Sequence, residues 1–159
     1  MKTDEDRDQA GFTVIELLMV IGIIGVLIAI MVPTLLQART PAQDRQAQNL
    51  LRNSLTAAKA IETSEGVTPT QAMLTTEEIG VFFLPNATTA PANARSVSVG
   101  NGVIGTSWYL ILASGSTSGR CFALLQQPFE SPRFQRVDNS ATCRADQFDA
   151  VTGWQDKWP

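Results

Sequence analysis

Glu16 sets the sharpest chemical problem in this chain. It is a carboxylate close to the start of a long apolar run, GFTVIELLMVIGIIGVLIAIMVP. Residues 17–36 are 20 consecutive positions without a formal charge. At about 1.5 Å of helical rise per residue they span roughly the 30 Å of a bilayer's hydrocarbon. A carboxylate in such a segment costs about 2.5–3.5 kcal/mol near the helix centre and less near an end. An acid kept there calls for a partner.

Other residues able to do chemistry are few. Cys121 and Cys143 lie far downstream of the apolar run. An even cysteine count in a small domain outside the cytoplasm favours a disulfide, with two buried thiols as the alternative. The chain has no histidine, so neither a Cys-His zinc site nor a Ser-His or Cys-His catalytic arrangement can be built. No catalytic residue, metal ligand or cofactor site is assigned, and the chain does not read as an enzyme. Asp146, Asp149 and Asp156 carry oxygen ligands of the kind calcium takes, but their spacing is not that of an EF-hand and solvated carboxylates are the plainer reading. Arg120, Arg133, Arg136 and Arg144 outnumber Glu130 and Asp138 around the cysteines, a local surplus able to touch DNA or simply to face solvent. Asn86-Ala87-Thr88 fits a glycan acceptor, a match frequent by chance.

These residues must be held by a small number of elements. The apolar run is too long for a removable secretory signal, and the MKTDEDRDQAG before it is acidic. Gly22, Gly25 and Ala29 fall near one helical face, where missing bulk admits another helix, with glycine merely tolerated in a membrane helix as the alternative. Pro33 removes a backbone donor and marks residues 22–33 as the weakest part of that helix. Thr40-Pro41-Ala42-Gln43 reads as a fresh helix start after a bend near residues 39–41. Beyond it Ala47, Leu50, Leu51, Leu55, Ala58 and Ile61 form an apolar stripe that Gly66 and Pro69 end. Residues 68–94 then mix short apolar bursts with turn residues and read as a surface connection.

SVSVG, SWYLILAS and RCFALLQQ read as short antiparallel strands, with GSTSG as the hairpin loop between the last two. The amphipathic helix over about residues 41–64 is the available cover for their apolar side. The expected fold class is therefore α+β: a long amino-terminal helix, half membrane-spanning and half amphipathic, packed on a small antiparallel sheet. At 159 residues there is room for one membrane segment and one head of roughly 100–120 residues. The formal net charge is −3, of which the first 11 residues hold −2 and the rest −1. A head so nearly neutral gives little reason for bulk nucleic-acid binding.

GFTVIELL, with a glycine before a phenylalanine, a glutamate five residues after that glycine and an unbroken apolar run to a proline, resembles the amino-terminal signature of type IV pilins and pseudopilins over residues 11–36. The resemblance implies a leader at residues 1–11, removed by a prepilin peptidase between Gly11 and Phe12, and methylation of the new Phe12 amine. Residues 12–39 become a transmembrane and assembly helix, residues 40–159 an extracytoplasmic pilin head, and Glu16 serves subunit assembly. Methylation keeps the amine's charge, so the Phe12 ammonium is a fitting partner for Glu16 of a neighbouring copy. The implied disulfide ties Cys143 in the tail back to Cys121. The implied protein is a structural subunit, a single-pass membrane precursor that polymerises with other pilin subunits into an extracellular filament. Its implied partners are the prepilin peptidase/methyltransferase, an assembly ATPase and an inner-membrane platform. A type II secretion pseudopilin is the alternative, although major pseudopilins usually lack such a cysteine pair. A DNA-capturing competence pilin rests only on the four arginines.

Overall fold

The computed structural model describes residues 11–78, 80–86, 95–138 and 142–159. Residues 1–10 of the expected leader and two of the three residues of the glycan-acceptor match lie outside them. The chain divides between Arg39 and Thr40 into two compact units.

Residues 14–39 of helix α1 (Val14–Glu65) make up most of the described part of the first unit. Leu, Ile, Val and Met surround its axis on every side, and all positions from 11 to 40 are exposed. A helix segment apolar all round, with none of that surface covered by the described residues, is of the kind that packs against lipid or other helices. It is long and apolar enough to cross a membrane. Residues 22–33, expected to be weak, are helical throughout. Thr34 Oγ1 donates to the Met31 carbonyl at 2.8 Å just after Pro33.

The expected fresh helix start at Thr40 is not what the structure shows: α1 runs through Thr40 and Pro41 without a break. Pro41 has no N–H for the carbonyl four residues back, and that carbonyl belongs to Gln37, an exposed residue whose carbonyl can turn to water. The helix stops at Glu65 as expected. Gly66 takes φ 67°, a left-handed value suited to glycine, and its N–H reaches the Glu62 carbonyl at 2.9 Å.

Within the second unit the strands are β1 (Phe82–Pro85), β2 (Ser96–Ile104), β3 (Ser107–Gly115), β4 (Cys121–Gln126) and β5 (Arg133–Val137). They form one sheet in the order β1-β2-β3-β4-β5. The three expected strands are its centre, and the residues after Gly115 turn the chain from β3 to β4, Ser116 N–H bonding the Arg120 carbonyl at 2.8 Å. Two further strands and a short helix, α2 (Gln71–Glu77), arise where the sequence read as connection and irregular tail. The sheet is also not wholly antiparallel, since β1 runs parallel to β2.

Both faces of this sheet are covered. Side chains alternate along a strand, so Leu110, Leu112, Phe122 and Leu124 join Val97 and Val99 beneath Ala47, Leu51, Leu55, Ala58 and Ile61 of α1. Ile111, Ala113, Ala123 and Leu125 face the other way and are covered by Cys143, Ala145 and Phe148. Cys121 and Cys143 form a disulfide with Cα atoms 5.3 Å apart, fastening this tail to β4. Ala145 N–H also donates to Ser98 Oγ at 3.0 Å. Gly100 permits the approach: a Cβ built there would lie 2.9 Å from that of Ala145. The last residues return to β5, where Phe134 and Gln155 exchange backbone bonds of 2.7 and 2.9 Å, and Trp158 packs on Phe122 and Phe134.

Candidate functional site

Gly11 and Phe12 precede the helix and both are exposed, Phe12 at 89%. Thr13 stands immediately before the first helical residue and Glu16 three places later. Thr13 N–H and Thr13 Oγ1 each donate to Glu16 Oε2 at 2.8 Å. In return Glu16 N–H donates to Thr13 Oγ1 at 3.3 Å. This reciprocal arrangement is a capping box, which satisfies backbone donors that the first turn of any helix leaves without a carbonyl.

Glu16 therefore has a partner within its own chain that the sequence reading missed. The signal was present as T-x-x-E in TVIE, the spacing that defines the box. Both bonds from Thr13 go to one carboxylate oxygen, leaving Oε1 open among the described residues. The Phe12 nitrogen is an uncharged peptide amide. One oxygen can cap the helix while the other meets a cation delivered from outside.

Behind this cap the helix presents its apolar surface, with Gly22 and Gly25 open enough that a Cβ at either would meet nothing within 4 Å. A second helix can approach closely there.

The remaining sequence candidates lie in the second unit. Each of the four arginines has a carboxylate partner: Arg120 with Asp44 at 2.5 Å and Asp138 at 3.3 Å, Arg136 with Asp138 at 3.1 Å, Arg133 with Glu130 at 3.1 Å, and Arg144 with Asp146. Two of those carboxylates, on Asp44 and Asp146, were not counted against the surplus in the sequence. Burial works to raise the Asp44 carboxyl. Hydrogen bonds from Ser118, Ser116 and Arg120, with the guanidinium's charge, outweigh it and hold the group below the usual carboxylate range. Asp44 thus fixes the start of the covered part of α1 to the β3–β4 turn, with Ser118 Oγ donating at 2.5 Å. Of the three aspartates considered for calcium, Asp146 is held by Arg144, and Asp149 accepts from Val151 N–H at 2.9 Å and Thr152 Oγ1 at 3.3 Å. No three acidic, cysteine or histidine side chains converge among the described residues.

Residues 6–32 match the prokaryotic N-terminal methylation motif, the signature of type IV prepilins. The motif takes in Gly11, Phe12, the Thr13–Glu16 cap and most of the exposed apolar helix. It supports a pilin-like or pseudopilin protein, and together with the apolar helix it fits a membrane-anchored precursor. No curated protein and no solved structure matches the chain.

Proposed function

We propose that the chain is a structural subunit of a type IV pilus or pilus-like filament. A peptidase cuts after Gly11, the Phe12 amine is methylated, and the mature subunit waits in the membrane until a platform and its ATPase draw it into an extracellular polymer. The observation that carries this reading is the methylation motif lying on a helix whose residues 14–40 are all exposed and hold one acid, Glu16, at the third helical position. Lipid covers that surface before assembly, and neighbouring helices cover it afterwards. The Phe12 ammonium of one copy meets the open Glu16 oxygen of the next, a charged contact that gives direction to an otherwise uniform apolar surface.

Two substitutions separate the cap from the charge. Glu16→Gln keeps an oxygen for Thr13, since glutamine also completes a capping box, but removes the charge. Thr13→Ala removes the cap and keeps the charge. Imaging surface filaments should show them lost in Glu16→Gln and retained, at reduced number, in Thr13→Ala. Sequencing the amino terminus should find Phe12 first in both. Abundant normal filaments built wholly of Glu16→Gln subunits would overturn the charge-pairing role. In Gly11→Val the precursor should persist uncut, and a chain beginning at Phe12 would refute the cleavage position.

A further inference from the structure

The second unit handles its cations in two ways. The arginines near the disulfide are all paired, whereas Arg45, Arg52 and Lys59 on α1 are exposed and have no ion-pair partner among the described residues. These three stand seven residues apart. Each heptad drifts only about 20° around the axis and advances about 10.5 Å, so they form a nearly straight stripe on the solvent side of α1. No acid occurs on α1 between Asp44 and Glu62. Past the stripe stand Glu62 and Glu65, also without an ion pair among the described residues. At about 100° per residue they are turned roughly 60° and 120° away from Lys59, toward a different side of the helix.

We propose that the Arg45–Arg52–Lys59 stripe is the docking surface for Glu62 and Glu65 of a second copy of this chain. The inference rests on the filament reading, which makes neighbouring helices parallel. Because the acids lie beyond the stripe toward the carboxyl end, the neighbour must be displaced along the axis for its acids to reach the cations. A displacement of one heptad, about 10.5 Å, brings its Glu62 level with the gap between Arg52 and Lys59 and its Glu65 beside Lys59. A displacement of two heptads brings the same acids between Arg45 and Arg52. The contact therefore favours discrete registers. Stripe and acids occupy different faces, so the interface is heterologous, and repeated with an axial step it does not close but extends. Exposed pairs of this kind are individually weak and screened by salt, so their use is to select register and partner.

Charge reversal in the full-length chain tests this. Arg45→Glu with Arg52→Glu and Lys59→Glu, expressed alone, should lose filaments, as should Glu62→Lys with Glu65→Lys. The two half-reversed chains expressed together should regain them, because each supplies the sign the other lacks. A single chain carrying all five substitutions should also assemble. Tryptophan emission and membrane level matching the parent would establish that each variant is folded and inserted. Normal filaments from either half-reversed chain alone would overturn the proposal while leaving the filament reading intact. So would failure of both the mixture and the fivefold variant to assemble. Absence of filaments from the parent itself would instead strike at the filament reading. If stripe reversal leaves filaments normal but abolishes their binding of duplex DNA, the stripe serves a nucleic acid and the docking claim is overturned.

Discussion

Leu27 and Leu51 are the same residue on the same helix, yet Leu51 is wholly buried and Leu27 is 58% exposed. Around Leu51 the apolar residues keep to one face, and Val97, Leu112 and Leu124 of the sheet complete their burial. Around Leu27 apolar residues occupy every face and are exposed among the described residues. Secondary structure is alike in the two regions, so what differs is the location of the solvent-excluding partner. Residues near Leu51 report on folding. Residues near Leu27 report on whatever the folded chain associates with.

The largest contrast should come from Leu51→Ala. Deleting a fully buried leucine side chain costs about 2–5 kcal/mol through lost transfer energy and the cavity left behind. For a head of this size that lowers the unfolding midpoint by roughly 10 °C or more. All three tryptophans, Trp108, Trp154 and Trp158, lie in the second unit, so intrinsic fluorescence of the detergent-solubilised full chain reads that unit alone. An unchanged midpoint would show that α1 does not seal the core.

A somewhat smaller loss, about 3 kcal/mol in the chain-entropy picture, is expected when the bond between Cys121 and Cys143 is removed by paired serine substitution. The tail should loosen from Ile111, Ala113 and Leu125 while the apolar helix still inserts. Differential alkylation before and after reduction checks the premise, and two freely reactive thiols in the native protein would refute it.

Asp44 should give a smaller effect still, with a definite pH signature. Its folded-state carboxyl titrates below the unfolded value of about 3.9, so its contribution is fully present above that value and is lost as pH falls through the lower, folded one. Asp44→Asn should cost about 1–3 kcal/mol at neutral pH, limited by the exposure of Arg120. It should also flatten the fall in stability below about pH 4. A variant with the parent's acid profile would mean that Asp44 is not the group responsible.

Much of this division was legible in the sequence. The apolar run, the amphipathic stripe from Ala47 to Ile61 and the three central strands each show a clear period or a run bounded by turn residues. The parts that were missed depend on distant partners. β1 is four residues long and ends in proline, and it becomes a strand because β2 offers it a parallel edge. β5, RFQRV, carries two arginines and is ordered by β4 on one side and by Gln155 on the other. The second covered face was foreshadowed by the uninterrupted LILA and CFALL runs, since a strand buried on both sides loses its polar alternation. Thr40-Pro41 misled because a helix start and a tolerated interior proline look alike until the exposure of the orphaned carbonyl is known. The Thr13–Glu16 box was hidden by the charge of Glu16, which drew attention to cations rather than to backbone donors.

The smallest effect on the head should be that of Leu27→Ala, and its smallness is informative. The substitution removes the same atoms as Leu51→Ala, but from a surface that is exposed among the described residues, so the tryptophan midpoint should stay within about 0.5 kcal/mol of the parent's. Membrane insertion should also hardly change, because one leucine at the centre of a segment this apolar supplies only about 0.3–0.6 kcal/mol. What remains sensitive is association. Lipid tails are as apolar as leucine and flow into the space that a shortened side chain leaves, whereas a packed helix neighbour cannot, so a gap costs energy only when another helix is the partner. If neighbouring subunits cover Leu27, filament yield should fall while head stability and membrane level hold steady. Unchanged yield would mean that position 27 faces lipid or an open channel in the assembly. A fall in the tryptophan midpoint as large as that of Leu51→Ala would contradict the contrast between the two leucines outright.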